Sequence, residues 1–329
     1  MRAVRIVAPH SPLVDADLPE PQSGDVEVRI DIRACGICRS DAHYRAGFGN
    51  APLPRTPGHE IAGVVSAVGP HVTDLAIGDR VAVHYLLSCK TCDACRESGE
   101  AFCERGAMIG KHVDGGYAES IVVPAWNAIP IPPSLSFEVA ALMMCSTATA
   151  YHALRAGGMA AGKRVAIVGF GGLGVSALEL ALALGAKSVT ALDVVPEKLA
   201  RAKALGATDS DVFDLALDFA GDPETAVAAL RRLAPKGTLV LVALADAPLL
   251  FDPYRDVLAR ERRIAGCSDH LREELFELME LAARGAIHIE RAISRRVPLD
   301  AASIDPVLDE LERGTSALRT VIVQNASFT

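Results

Sequence analysis

The apolar residues of the first 135 or so positions come in short runs. VEVRIDIRA, IAGVVSAVG, DRVAVHYLL and YAESIVVP are separated by Gly, Pro and Asp, and turn signals are dense: GD at 24–25 and 78–79, GP at 69–70, DGG at 114–116 and PIPPS at 130–134. Short apolar runs bounded by turn residues predict a small barrel-like β domain.

The pattern changes near residue 137. SFEVAALMMCSTATAYHALRAG is Ala-rich and helical in spacing, KRVAIVGFGGLG reads as a buried strand and a glycine turn, and VSALELALALGA is a long apolar helix. SVTALDV is the next strand. PEKLARAKALGA is the next helix, with Pro196 at its start and Gly206 near its end. LALDFAG, a helix around 223–233 and GTLVLVAL continue the alternation, which implies a parallel sheet wound by right-handed crossovers. The tail carries a helix over 271–284, a short segment around 291–297, a helix over 305–313 and a final strand, RTVIVQ.

One spacing is unusual. Only TDSDVFD separates the ALGA segment from LALDFAG. A parallel crossover needs about a dozen or more residues, so there is no room for a strand and a returning helix. LALDFAG is therefore expected beside VAIVG, reached by a short loop. The strand around 189–194 is expected to be an edge, or to be covered by a loop or a partner chain, because a bare edge invites pairing.

Length and composition suit two globular cores: 329 residues, half of them hydrophobic and 22% charged. The net charge of −8 and the absence of a Lys/Arg block argue against nucleic acid or an anionic membrane as partner. The N-terminus shows no signal-peptide pattern, and no apolar stretch reaches the ~20 residues of a membrane span. A cytoplasmic protein is expected, with reduced thiols, and clustered cysteines then point to metal rather than disulfides.

Cys89, Cys92, Cys95 and Cys103 form C-x2-C-x2-C-x7-C in a polar segment poor in core residues. Four thiolates so spaced can close on one tetrahedral Zn²⁺ with no open position, a structural site whose metal stabilises the fold. An iron–sulfur cluster also takes four cysteines, and Lys90 and Asp93 between the ligands do not discriminate. A second group of candidates lies in CGICRSDAHYRAG at 35–47 and GHE at 58–60, with Cys145 far downstream. Cys35 and Cys38 form a CxxC, but the flanking signals of a thioredoxin fold are missing. Farther on, Gly169, Gly171, Gly172, Leu173 and Gly174 make a GxGxxG turn between strand and helix, and Asp193 ends the next strand. In that context the turn is a dinucleotide-binding fingerprint: glycines let the backbone approach a pyrophosphate at the helix N-terminus. Asp193 would accept from the adenosine ribose hydroxyls and repel a 2′-phosphate, and no Arg or Lys follows before Lys198, so NAD is expected rather than NADP.

The run from CGICRSDAHYRAG to GHE, the four-cysteine cluster, the Cys145 segment and the GxGxxG turn, in that order over nearly the whole chain, resemble the zinc-dependent medium-chain alcohol dehydrogenase family. The resemblance implies a GroES-like β-rich catalytic domain and a Rossmann domain here one strand–helix unit short. It implies two zincs per chain, and Cys38, His59 and Cys145 as ligands of the catalytic one. Glu60 would be a further ligand able to exchange with water or substrate, and Asp41 the acid that orients His59. Three ligands leave a position where zinc acidifies an alcohol or polarises a carbonyl. Ser40 and His43 match the family's proton relay. Thr149, Arg39 and Arg319 match cofactor contacts, the arginines at the pyrophosphate. Tyr85 lies where relatives line the substrate pocket, with Phe48 and Met144 as further candidates. Cys35 and Cys267 have no metal role.

The expected organisation is a catalytic domain of residues 1–146 and 271–329 around a Rossmann domain of 147–270, with helix 271–284 assignable to either, and with NAD, zinc and substrate in the cleft between. The expected activity is NAD-linked interconversion of an alcohol and its aldehyde or ketone, by a homo-dimer or homo-tetramer. A polyol or amino-alcohol dehydrogenase is the alternative on the same fold. A non-catalytic nucleotide-binding structural or sensor protein would have no need of Cys38, His59 and Cys145 together.

Overall fold

In a computed structural model of the chain, residues 1–245, 247–315 and 318–324 are described. They form two compact units: Met1–Cys145 with Leu271–Gly285 and Ile289–Thr329, and Ser146–His270 with Ala286–His288.

The first unit is built on a seven-stranded sheet. Its spine is Glu27–Ile37, whose residues alternate between buried and half-exposed before becoming buried on both faces. The spine changes neighbours along its length. On one side its first half pairs with Ser120–Pro124 and its second half with Arg319–Val323, while Glu60–Val68 runs antiparallel along the other. Two register shifts against Glu60–Val68 bend it, as bulges do where barrels curve. Arg80–Val83 and Ala128–Pro130 extend the sheet beyond Glu60–Val68, and Ile293–Val297 lies outside Arg319–Val323. Ile30, Ile32, Ile61, Val81, Tyr117 and Ile322 fill its core with no more than 1% exposure. The last helix is Ala301–Glu312, four residues earlier at its start than 305, because Asp300 caps it by accepting from Ser303 N–H. Arg45 ties the short helix Arg39–Arg45 to it, reaching Asp305 (2.9 Å), Asp309 (2.5 Å) and Glu312 (2.9 Å).

The Ala-rich segment expected as one helix is divided: α-helix Phe137–Leu142, a wide π turn over Met143–Thr147, then α-helix Ala148–Ala156. Such π turns insert an extra residue and re-aim side chains, often at functional positions; here the turn carries Cys145.

The second unit is a wholly parallel five-stranded sheet in the order Ser188–Leu192, Arg164–Val168, Phe213–Asp218, Leu233–Leu241, Arg263–Gly266. Helices Gly172–Ala183, Pro196–Ala204 and Pro223–Arg231 connect the first four strands. Strand 213–218 lies beside strand 164–168, and strand 188–192 is the edge, as the spacing requires. Residues 205–212 hold no helix or strand, only a loop. Thr208 N–H donates to Val189 O at 2.8 Å, so this loop covers part of the edge. Among the described residues no helix is long and apolar enough to cross a membrane.

Candidate functional site

The four cysteines of the first motif stand on a small lobe, with Cys92 capping helix Asp93–Glu97 and Cys103 following the 3-10 turn Glu100–Phe102. All four sulfurs lie within 4.8 Å of one another, and neighbouring pairs are 3.4–3.9 Å apart. Backbone N–H groups of Cys89 and Cys92 point at the sulfurs of Cys103 (3.3 Å) and Cys89 (3.4 Å). Such donors favour thiolate, and the backbone N–H of Thr91 heads the contacts that draw the Cys89 thiol down to about 5. Tetrahedral zinc–sulfur bonds of about 2.3 Å place ligand sulfurs roughly 3.7 Å apart, so this donor set fits the ion.

The lobe is anchored by its own unit. Glu100 accepts from the backbone N–H of Arg272, at the start of helix Arg272–Ala283, and its Oε1 lies 3.5 Å from Nε2 of the buried His84. The Arg272 guanidinium contacts the rings of Trp126 (4.9 Å) and Phe276 (4.8 Å).

The second motif converges on one point. Cys38, His59, Glu60 and Cys145 place one ligand atom each within 4.8 Å of the others, and all four are buried. Each comes from a different local structure. Cys38 is the N-cap of helix 39–45, His59 precedes strand 60–68, Glu60 opens it, and Cys145 stands on the π turn. Asp41 holds the first two together. Its carboxylate accepts from Cys38 N–H (2.9 Å) and Gly58 N–H (3.1 Å), and its Oδ1 is 3.5 Å from His59 Nδ1. Nδ1 thus faces the acid and Nε2 is left for the other three residues. The Cys38 thiol is held well below its usual range by Cys145, and Cys145 is pushed correspondingly up by Cys38 and by burial. Burial opposes charge on His59, yet Asp41 and Cys38 raise it. Two sulfurs, an imidazole and a carboxylate, buried and within 4.8 Å of one another, are donors suited to zinc.

Glu60 is deeply buried, and burial lifts its carboxyl to about 7 against the opposing pull of Arg319. Arg319 Nη2 donates to Glu60 Oε2, while Glu60 Oε1 has no hydrogen-bond partner among the described residues. Gly36 makes room for this acid: it sits opposite Glu60 in the sheet, and a Cβ there would overlap the carboxylate and come within 2.8 Å of Leu142.

The remaining sequence candidates fall in several places. Ser40 Oγ is 3.7 Å from Cys38 Sγ, against the metal-ligand cluster. His43 is half-buried on the same helix, its ring 5.9 Å from that of the exposed Phe48. Tyr85 is buried with its ring edge-on to His59 at 5.0 Å, and Met144 is buried in the π turn. Arg39 is exposed at the start of its helix. Arg319, expected at a pyrophosphate, has its guanidinium against Glu60.

In the second unit Gly169 has φ +87°, and a Cβ on Gly174 would come to 2.7 Å from Gly169 O. Both positions therefore require glycine. Gly171 caps the helix on which Gly172, Leu173 and Gly174 form the first turn. Asp193 accepts from Phe170 N–H (2.8 Å) and Val195 N–H (2.9 Å), which pins the glycine turn to the end of strand 188–192. Lys198 Nζ is 4.0 Å away. Thr149 is half-buried on helix 148–156, and its carbonyl faces Cys267 Sγ at 3.9 Å. Cys35 is fully buried. Gly36 and Tyr117 also contribute to this site, at positions the sequence pattern does not mark as functional. The only signals were the glycine inside CGIC and the aromatic after DGG.

Residues 24–133 match the family model of the alcohol dehydrogenase GroES-like domain. The chain is 36% identical to an alcohol dehydrogenase of Geobacillus stearothermophilus over 98% of this chain and 99% of that protein. The aligned length of 343 positions exceeds the 329 residues here, so some of the relative's residues have no counterpart. It is 35% identical to the NADP-dependent alcohol dehydrogenase C of Mycobacterium bovis, over 84% of this chain and 86% of that one. The solved alcohol dehydrogenase TADH from Thermus sp. ATN1 superposes with a TM-score of 0.90 at 29% identity, covering 98% of this chain and 99% of that chain. With two metal-ligand clusters and a glycine turn placed as described, and with relatives matching 84–98% of its length, the chain belongs to the zinc-dependent medium-chain alcohol dehydrogenase family and is an oxidoreductase that uses a nicotinamide cofactor to interconvert alcohols and carbonyl compounds.

Proposed function

We propose that each chain holds two zincs, one closed by Cys89, Cys92, Cys95 and Cys103 and one at Cys38, His59 and Cys145, and that NAD is the preferred cofactor. The convergence of Cys38, His59, Glu60 and Cys145 on one buried point, with Asp41 behind the imidazole, carries this reading. When bound there, zinc supplies Lewis acidity to an alcohol or carbonyl oxygen.

The chain's own residues do the rest. Asp41 fixes the imidazole tautomer, with Nδ1 toward the acid. Glu60 Oε1, without a hydrogen bond among the described residues, is the atom that exchanges with water or substrate. Ser40 Oγ, beside Cys38 Sγ, meets the proton released from the substrate oxygen. His43, on the next turn of the same helix and partly open to solvent, passes it on, as imidazole can near neutral pH. A bound nicotinamide would supply the acceptor for the hydride of the alcohol carbon, so that one hydride and one proton would leave the substrate. Reduction runs the same steps backward.

The preference for NAD rests on the Asp193 carboxylate, which a 2′-phosphate would have to face. Lys198 at 4.0 Å works against it by offering one cation, so the preference is expected to be modest. Gly169, Gly171, Gly172, Leu173 and Gly174 would take the pyrophosphate, with Thr149 and Arg39 as further cofactor contacts. Arg319 can join them only by sharing its guanidinium with Glu60. Metal analysis, together with kcat/KM for NAD and NADP across primary, secondary, polyol and aromatic alcohols, tests the reading. It fails if active protein contains no zinc, and the cofactor assignment fails if the two cofactors are used equally.

A further inference from the structure

The DGG turn at 114–116 is not an isolated loop. It lies along the segment that carries His59, through Gly115 N–H to Thr56 O (2.8 Å), Gly116 N–H to Gly58 O (2.8 Å) and Tyr117 N–H to Pro57 O (3.0 Å). This pairing sets the Tyr117 ring directly on Gly58, where a Cβ would overlap it, and a Cβ on Gly116 would come to 2.9 Å from Cys35 Sγ. Gly58 must therefore lack a Cβ for the ring to lie where it does, and Gly116 must lack one for its backbone to pass Ile61 and Cys35. Tyr117 is fully buried, and its hydroxyl donates to Asp41 Oδ2 at 3.0 Å.

Asp41 is also fully buried. Its Oδ2 receives Tyr117 O–H and Cys38 N–H, and its Oδ1 receives Gly58 N–H and faces His59 Nδ1 at 3.5 Å. Three donors come from three separate segments. The two backbone donors hold the carboxylate near the ligand-bearing turns. The hydroxyl, rooted in a third segment, opposes rotation of the carboxylate about its Cβ–Cγ bond. It also draws off part of the negative charge that would otherwise fall on the imidazole.

We propose that Tyr117 is a positioning residue of the catalytic metal site: through its hydrogen bond to Asp41 it fixes the direction in which His59 Nε2 meets the metal. This rests on the zinc reading above. A ring serving only as core filler would leave the metal indifferent to its hydroxyl. Outer-shell partners of metal-binding histidines typically change metal affinity by 10–100-fold.

The test uses the full-length protein stripped of metal and reloaded with Co²⁺, whose visible bands separate a mixed sulfur–nitrogen–oxygen site from a four-thiolate one. Tyr117→Phe keeps the ring and its packing. Expected are displaced bands and roughly ten-fold faster release to a chelator at the Cys38 site, with parental behaviour at the four-cysteine site. In an Asp41→Asn background the same Tyr117→Phe change should alter release much less, because the hydroxyl acts through the acid. Parental bands and release at the Cys38 site would overturn the proposal. So would equal loss from both sites with a lowered Tm, which marks a core tyrosine. An unmodified protein that takes Co²⁺ only at the four-cysteine site would overturn the zinc reading, and this inference with it.

Discussion

Changing Cys92 to Ser should release the four-cysteine lobe locally. Apart from the Glu100 anchor, little within the lobe orders it. Its strands, Leu86–Leu87 and Ala107–Met108, pair over two residues each, and neither helix 93–97 nor the 3-10 turn 100–102 contains a buried residue. With almost no apolar burial, ordering depends on the closed metal site. The bridge from Cys89 to Cys103 closes a loop of 15 residues; cross-linking a loop of that length is worth about 3 kcal/mol. At about 2–4 °C per kcal/mol for a unit of this size, the variant should melt roughly 6–12 °C lower. The loss should also travel along one route. Glu100 holds the start of helix 272–283 and faces His84, so residues 271–276 should lose protection with residues 88–106, while strand 164–168 keeps it. Hydrogen exchange by mass spectrometry, with metal content and Tm, reads all three. A Cys92→Ser protein with two zincs per chain and unchanged exchange in both segments would refute the reasoning. So would a uniform loss of protection across both units.

Cys38→Ser should drop metal content from two zincs to one and abolish turnover, with the four-cysteine lobe still protected from exchange; retained turnover contradicts the assignment. Gly36→Ala puts a methyl where the Glu60 carboxylate lies, which should cost about 1–3 kcal/mol from overpacking and sharply reduce kcat; a variant with parental Tm and kcat would show that Glu60 has free space. Asp193→Ser should narrow the preference for NAD by removing the carboxylate that faces a 2′-phosphate, measured as the ratio of kcat/KM values. The protein should be a homo-dimer or homo-tetramer pairing near residues 238–268, where strand 263–266 is a sheet edge and Leu244, Leu250, Tyr254 and Leu258 are exposed. A monomeric mass by light scattering at micromolar concentration rules this out.

Several features of the fold were legible because they depend on local chemistry or on chain length. The parallel sheet follows from alternating strand and helix patterns. The placement of Phe213–Asp218 beside Arg164–Val168 follows from a steric limit on crossovers that no packing detail can relax. The four-cysteine cluster was visible because its ligands sit within a short stretch, so their spacing is nearly their geometry. The glycine turn was visible for the same reason. The division of the 137–156 segment was not legible, since Ala-rich spacing fits a continuous helix and the π turn at Met143–Thr147 leaves no compositional mark. The start of the last helix was placed too late because Asp300, its cap, lies outside the apolar pattern.

The sequence by itself determined which chemical groups are available and which local frames carry them: thiols at fixed spacing, a glycine turn before a helix, an acid three residues after Cys38. Tertiary structure alone decided which of these groups meet. Cys145 joins Cys38 across 107 positions and His59 across 86. Arg319 turns to Glu60 because strand 319–323 pairs with the spine, its Thr320 opposite Ile37 and thus beside Gly36. Tyr117 reaches Asp41 because the DGG loop is hydrogen-bonded along residues 56–58. The physical reason is that long-range pairing is set by sheet register and by the few glycines that let backbones and rings come close, and neither register nor closeness has a local signature in the chain.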